Sequence, residues 1–258
     1  MQEEIERLAR WIAEAKRVVV FTGAGVSTES GIPDFRSPGG LWSRYDPNDF
    51  YFQRFLSSEE ARERYWQMHS ELYGMLKAAR PNLAHYACVE LYRMGKLSSV
   101  ITQNIDNLHQ EAGLPADRVI ELHGNALKVK CLDCGRLYSR EEIQRRIDAG
   151  EKAPRCDGCG GILKPATISF GQAMPQEEMR RAEEEARGAD LFIVVGSSLV
   201  VHPAALMPLY AKEAGSRLVI INLTPTPYDD QADLLIGGKA GEVLSQVIER
   251  TKEILRAN

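Results

Sequence analysis

Short, almost unbroken apolar runs recur along the chain, separated by stretches whose apolar residues return every three or four positions. RVVVFTG (17–23), SSVITQN (98–104), RVIELHG (118–124), DLFIVVGSS (190–198) and RLVIINL (217–223) are such runs, with ADLLIGG (232–238) a weaker sixth. Continuous apolar runs bounded by turn residues fit strands buried on both faces, as in a parallel sheet covered by helices. The stretches between them read as those helices. Ile5, Leu8 and Ile12 mark one face near the start, and Leu244, Val247, Thr251 and Leu255 mark one near the end. Pro81 and Gly95 bracket a third helix, while Gly113 and Gly188 end two more. The pattern predicts an α/β protein with an open, doubly wound, Rossmann-like sheet.

Two stretches break the alternation. Residues 36–80 are helical and aromatic, with Trp42, Tyr45, Phe50, Tyr65 and Trp66 among them, and residues 127–163 hold four of the five cysteines. Both read as insertions that build a second, smaller domain above the carboxyl ends of the strands, where open α/β sheets bind ligands. The large domain is then made of residues 1–35, 81–126 and 164–258, with 36–80 and 127–163 forming the small one.

Composition narrows the class only a little. A net charge of −4, from 32 basic and 36 acidic residues, gives no footprint for nucleic acid, so no direct binding of it is expected. No apolar run approaches the roughly 20 residues that cross a bilayer. The first residues, MQEEIERLARWIAEAK, are acidic and lack the hydrophobic centre of a signal peptide. A cytoplasmic location is the expectation, and in that setting paired Cys-x-x-Cys units suggest a metal before disulfides.

The chemistry-bearing residues gather at strand ends. Gly23-Ala24-Gly25 follows the first strand and suits close approach of a phosphate or ribose to backbone. Thr28 stands where a dinucleotide fingerprint has its third glycine, and no ribose-binding acid follows a second strand, which disfavours a dehydrogenase. A tight strand-to-helix turn explains these glycines equally well. Gln103, Asn104 and Asp106 end the second run, Gly196, Ser197 and Ser198 the fourth, and Asn222 the fifth. Each cluster alone fits helix capping, but together they describe one pocket for a large polar ligand. His123 ends the third run, where a histidine can act as a base near neutral pH or can be structural. His69 and His85 lie in helical stretches and read as structural or exposed; His109 reads as orienting a loop. Cys131, Cys134, Cys156 and Cys159 have the spacing of two zinc knuckles. Four thiolates close a tetrahedral site and leave no place for a reacting water, so the expected zinc is structural. Cys88 reads as a small buried residue.

GAGVSTESGIPDFR, TQNIDNLHQEAG, ELHGN, the four cysteines, GSSLVVHP and INL together resemble the sirtuins, in order and spacing, over most of the chain. The resemblance implies an NAD-dependent protein lysine deacetylase whose small domain joins a helical module to a zinc ribbon. NAD is consumed as a co-substrate, and acetyl-lysine proteins or peptides are the partners. Gly23, Ala24, Gly25, Ser27 and Thr28 are implied to lie against the NAD phosphates and ribose. Asp34, Phe35 and Arg36 belong to a mobile cofactor loop, in which Phe35 excludes water after nicotinamide departs and Arg36 meets phosphate. Asn104, Ile105 and Asp106 line the nicotinamide pocket, and Gln103 holds the ribose near the base, His123. Gly196, Ser197, Ser198, Asn222, Leu223 and Ala240 hold the adenosine half. Ile168, Phe170, Gly171 and Val201 wall the channel where an extended peptide adds as a strand.

The implied reaction moves the acetyl group from lysine to ADP-ribose, releasing nicotinamide and O-acetyl-ADP-ribose, with no hydride transferred. The chain has Ser169-Phe170-Gly171-Gln172 where the family often has Phe-Phe-Gly-Glu, which alters the channel mouth. Succinyl-preferring sirtuins carry a Tyr-x-x-Arg pair on the helical module. Here Tyr65 is followed by Met68 at the arginine position, so a buried acyl carboxylate would go unpaired at a cost, and acetyl or longer uncharged groups are favoured. The rival readings are an ADP-ribosyltransferase or NAD glycohydrolase on the same fold, and a non-catalytic binding module.

Overall fold

The computed structural model describes residues 1–35, 39–40 and 43–257. All six apolar runs form strands of one parallel sheet. These are β1 (Val18–Thr22), β2 (Leu97–Thr102), β3 (Val119–Glu121), β7 (Leu191–Val195), β8 (Arg217–Asn222) and β9 (Leu234–Gly237), in the order β3-β2-β1-β7-β8-β9. The order reverses between β1 and β7, the switch point at which doubly wound sheets open a crevice.

Strand geometry explains why the runs are apolar throughout. Successive side chains point to opposite faces. Val18 and Val20 of β1 therefore join one core layer, and Val19 and Phe21 the other. Helices α1 (Gln2–Glu14), α4 (Leu83–Arg93) and α9 (Ala240–Ala257) cover the first face; α7 (Gln176–Arg187) and α8 (Met207–Glu213) cover the second. Ile5, Leu8 and Ile12 are all buried, as their spacing predicts. Helix α4 starts two residues after Pro81, because Asn82 caps it: its side chain accepts from Ala84 N at 2.9 Å, and its N–H donates to His85 Nδ1 at 3.2 Å. The stretch ending on Gly113 yields a single helical turn, α5 (Leu108–Glu111), since Asn107 before it is left-handed with φ 65°.

The two inserted stretches form the smaller domain. One supplies α2 (Phe52–Ser57) and α3 (Glu59–Ala78). The other, with the few residues flanking it on each side, supplies the antiparallel sheet β5-β4-β6, made of β4 (Gly124–Cys131), β5 (Leu137–Ser139) and β6 (Leu163–Thr167), together with α6 (Arg140–Asp148). Strand β4 begins inside the ELHGN motif, so the chain passes from the end of β3 into the ribbon within a few residues. Trp66 of α3 is buried in the same cluster as Val129, Tyr138, Ile143 and Leu163 of the ribbon, which fastens the two pieces together. The fold is thus a Rossmann-like doubly wound sheet with a smaller domain of a helical module and a four-cysteine ribbon.

Candidate active site

The glycines after β1 have a clear packing role. A Cβ on Gly23 would stand 2.7 Å from the Gly196 carbonyl oxygen, and one on Gly25 would stand 2.8 Å from Gly196 Cα. Gly25 N–H donates to Gly196 O at 2.9 Å, and Gly196 itself is left-handed with φ 61°. The loops leaving β1 and β7 therefore lie backbone on backbone at the switch point. Strand β1 leads into two short 3-10 turns, Ala24–Val26 and Thr28–Ser30, rather than into a long helix. Among the described residues, no long helix directly follows β1 to aim its dipole at this crevice, unlike the arrangement in dinucleotide-binding dehydrogenases.

Loop 103–107 forms the next wall. The Ser27 hydroxyl donates to Asp106 Oδ2 at 2.6 Å and accepts from Asn104 Nδ2 at 3.1 Å; Leu108 N–H donates to Asp106 Oδ1 at 3.0 Å. Ser27 and Asp106 are buried, so these bonds to a carboxylate are worth about 1.5–3 kcal/mol each. Behind Ser27 lies His85, whose Nδ1 already accepts from Asn82 N–H and whose Nε2 is 3.5 Å from the Ser27 hydroxyl. Burial pulls the His85 imidazole down to about 4, so the ring is neutral. Gln103 reaches across the switch point and donates to Ser197 Oγ at 2.8 Å.

His123 closes the site from the end of β3. Its Nδ1 is 3.0 Å from the Gln103 carbonyl oxygen, which can only accept, so Nδ1 carries the proton and Nε2 keeps its lone pair. Burial lowers the His123 pKa below the ordinary histidine value, and the bond to Gln103 O offsets part of that. The group is thus a neutral base at pH 7 with its acceptor nitrogen defined by the fold. Gly124, with φ 74°, comes next; a Cβ there would meet Ala166 O of β6 at 2.0 Å, so the turn that presents the histidine admits only glycine.

A cavity of about 430 Å³ joins these pieces. It is lined by Gly23, Ala24, Gly25, Ser27 and Thr28, by Asp34 and Phe35, by residues 103–106, and by His123. Ile168, Phe170, Gly171 and Val201 line it as well, as do Gly196, Ser197, Ser198, Asn222 and Leu223. Two sequence-predicted residues are not among these. Ala240 opens α9 and does not line the cavity, and Arg36 lies outside the described residues, as does Trp42. At the mouth, Tyr51 and Phe170 form a parallel bridge, Phe52 N–H donates to Phe170 O at 2.8 Å, and the rings of Tyr51 and Phe170 lie 5.7 Å apart.

The α3 side of the cavity was only partly legible. Tyr65, Met68, His69, Leu72 and Leu76 line it with helical spacing. That spacing marks a common face but not which wall the face belongs to. His69 is buried and stacks on Tyr65 at 4.3 Å, and the Tyr65 hydroxyl is 3.0 Å from Ser169 Oγ.

On the ribbon, the Sγ atoms of Cys131, Cys134, Cys156 and Cys159 all lie within 4.8 Å of one another. Four converging thiol sulfurs fit a closed tetrahedral zinc. The Tyr138 hydroxyl, 3.1 Å from Cys156 Sγ, supports one of them.

Comparison with known proteins agrees with this geometry. A model of the Sir2 family matches residues 23–203. NAD-dependent protein deacetylase 1 of Bradyrhizobium diazoefficiens is 52% identical over 248 residues, 96% of each chain. NAD-dependent protein deacylase 2 of Archaeoglobus fulgidus is 47% identical over 256 residues, 98% of each. A solved Sir2 complex with a p53 peptide and NAD+ superposes with a TM-score of 0.87 at 39% identity, covering 96% of this chain and 98% of that one. On its motifs, its fold and these matches, the chain belongs to the Sir2 family.

Proposed function

We propose that the protein is an NAD-dependent protein lysine deacetylase. It moves the acetyl group of an acetyl-lysine to ADP-ribose and releases nicotinamide and O-acetyl-ADP-ribose. The observation that carries this reading is His123: a neutral imidazole with a free Nε2 lone pair, held in the same cavity as a carboxylate, two amides and the paired glycine loops. A simple binding module has no use for such a base.

Each wall has a part in this reading. NAD, bound along the switch point, supplies the electrophilic ribose carbon; nicotinamide leaves from it as the acetyl-lysine carbonyl oxygen bonds there. The backbone of Gly23, Ala24 and Gly25, with Thr28, lines the phosphates and ribose; Gly196, Ser197, Ser198, Asn222 and Leu223 take the adenosine half. Asp106, fixed by Ser27 and Leu108, accepts from the nicotinamide carboxamide, with Asn104 and Ile105 beside it. Phe35 and Asp34 cover the site and exclude water, and Arg36 belongs to the same cofactor set; Ala240, the remaining residue of that set, is buried at the start of α9 and acts from outside the cavity lining. His123 Nε2 accepts a proton from the ribose hydroxyl, a step that general base catalysis accelerates about 10²–10⁴-fold. Ile168, Phe170, Gly171 and Val201 flank the acyl-lysine of an extended peptide. The A. fulgidus deacylase name and a Sir2 structure with a myristoylated histone peptide support acyl-lysine partners as a class.

The large domain in this reading comprises residues 1–35, 81–126 and 164–258, and the small one 36–80 and 127–163. Cys131, Cys134, Cys156 and Cys159 hold one structural zinc, and a reducing compartment, the cytoplasm, suits four thiolates kept for a metal. No helix among the described residues is long and apolar enough to cross a membrane.

The test is mass spectrometry of products from NAD with and without an acetyl-lysine peptide. Peptide-dependent nicotinamide release with O-acetyl-ADP-ribose is the expected result. Release without the peptide makes the protein a glycohydrolase, and ADP-ribose joined to the peptide makes it an ADP-ribosyltransferase.

A further inference from the structure

Beneath loop 103–107 runs a second set of buried hydrogen bonds, separate from the Ser27–Asp106 pair. His109, on α5, is 1% exposed and lines no part of the cavity. Its Nε2 is 3.1 Å from Thr22 Oγ1 at the end of β1. The Thr22 hydroxyl is 2.8 Å from Thr102 Oγ1 at the end of β2, and Asn104 N–H donates to that same Thr102 oxygen at 3.0 Å.

Neutrality and burial fix the direction of this chain. Burial pushes the His109 pKa well below the ordinary histidine value, and the neighbouring His85 ring, 4.9 Å away, acts in the same sense. A neutral imidazole has one N–H, and His109 Nδ1 has no partner among the described residues. A proton on Nδ1 would leave a buried donor unmade and would turn the Thr22 hydroxyl away from Thr102. With the proton on Nε2, the only group left over is an acceptor, and an unpaired buried N–H is the costlier loss. His109 therefore donates to Thr22, and Thr22 donates to Thr102.

The same strand ends carry the site. Thr22 O accepts Gln103 N–H at 3.0 Å, Thr102 O accepts Leu122 N–H at 3.0 Å, and Gln103 O accepts the proton on His123 Nδ1 at 3.0 Å. We propose that His109 is a positioning residue for the reaction: acting through Thr22 and Thr102, it fixes the backbone of Gln103 and Asn104, and through Gln103 O the ring of His123. The proposal rests on the deacylase reading above.

Steady-state kinetics with NAD and an acetyl-lysine peptide, as a function of pH, test it. His109→Leu keeps the bulk and removes the donor; kcat should fall about tenfold, the size of effect typical of coupled buried networks, with the peptide KM little changed. The acid limb of kcat/KM should also move to lower pH, because loosening the bond from His123 to Gln103 O removes what offsets the lowering of the His123 pKa by burial. His109→Gln, whose amide can donate from a similar reach, should restore most of the activity and the position of the limb. Thr22→Val breaks the same chain one step on, so it should reproduce His109→Leu, and the double variant should be no worse than either single one. Thermal melting and zinc content identify any variant that fails to fold; if His109→Leu does, His109→Gln and Thr22→Val carry the test. An unmoved acid limb in a folded His109→Leu, full activity in Thr22→Val, or additive losses in the double variant would overturn the proposal. No turnover in the unaltered protein would overturn the deacylase reading and this proposal together; normal turnover with an unmoved limb overturns only the role of His109.

Discussion

The sheet domain and the cysteine ribbon solve the problem of a stable core by different means. In the sheet, β1 and β7 are buried along their whole lengths and feed apolar layers on both faces. The ribbon has three short strands and one small cluster around Val129, Ile143 and Leu163. Among the described residues, the fully buried lysine and arginine side chains, Lys164 and Arg140, both belong to it. Arg140 lies over the rings of Trp66 and Tyr73, and its burial lowers its pKa to about 10; Lys164 Nζ donates to Thr167 O at 2.6 Å. A domain with so little apolar surface needs a staple, and four thiolates around a zinc supply one. The large domain can devote its strand ends to chemistry because the strands themselves carry the stability.

The sharpest way to break this comparison is to remove the zinc. Structural zinc sites in small modules bind with about 10–16 kcal/mol of apparent free energy, and that energy is folding energy. Chelation, or Cys131→Ser, should melt the ribbon while far-UV circular dichroism retains the signal of the parallel sheet. Deacetylation should fall because β4 leads straight out of the His123 turn. Zinc-free protein with full activity and unchanged melting would remove the metal from the architecture.

Next in size is His123→Ala, which attacks the chemistry and spares both cores. Deacetylation should drop by about 10²–10⁴-fold, with melting temperature and zinc content preserved. Nicotinamide exchange should persist better than deacetylation, since ring departure precedes the proton transfer. Near-normal turnover in this variant would make the histidine structural.

A smaller effect tests where the two regions meet, at the α3 wall. Met68 lines the cavity beside Tyr65, so an acyl carboxylate there would lack a cationic partner from position 68. Acetyl-lysine peptides should be turned over at least about tenfold faster than succinyl-lysine peptides, given the cost of an unpaired buried charge. Met68→Arg should narrow that ratio. Preference for succinyl-lysine in the unaltered protein would reject this account of the pocket.

The mildest perturbation is pH. His69, His85 and His109 are all held neutral, chiefly by burial, with folded pKa values below that of the unfolded chain. Between the folded value and about pH 6.5 the unfolded chain binds more protons, so stability is full only from about pH 7.5 upward and falls as the pH drops through 6.5 toward the folded value. Each histidine contributes roughly 0.4 kcal/mol of that loss by pH 6.5. Melting temperature followed from pH 8 to pH 5 should therefore decline on the acid side, and a flat profile would contradict buried neutral rings.

Much of this was written in local patterns. The six apolar runs named all six strands of the parallel sheet; central ones such as β1 and β7, buried on both faces, have no polar positions to confuse their reading, while the edge strand β9 alternates buried and exposed residues and is the weakest run. Spacing alone singled out the four cysteines as one metal set. The strand-end histidine and amides were visible because a polar residue closing an apolar run marks where a strand leaves the core. The helix ending at Gly113 is a single turn, α5, because Asn107 before it takes a left-handed conformation that no periodicity reveals.

What the sequence by itself determined is therefore the inventory: strands, caps, knuckles and the polar residues at strand ends, each specified by interactions a few residues long. Tertiary structure alone decided how they meet. Gly23 and Gly25 could be read as room for a phosphate, yet the residue they make room for is Gly196, more than 170 positions along the chain. The tautomer of His123 is set by one carbonyl in the loop that leaves a different strand, and the place of α3 in the cavity by Trp66 locking into the ribbon. These are contacts between distant segments, fixed by close packing and by the need to pair every buried polar group, and neither constraint has a local signature.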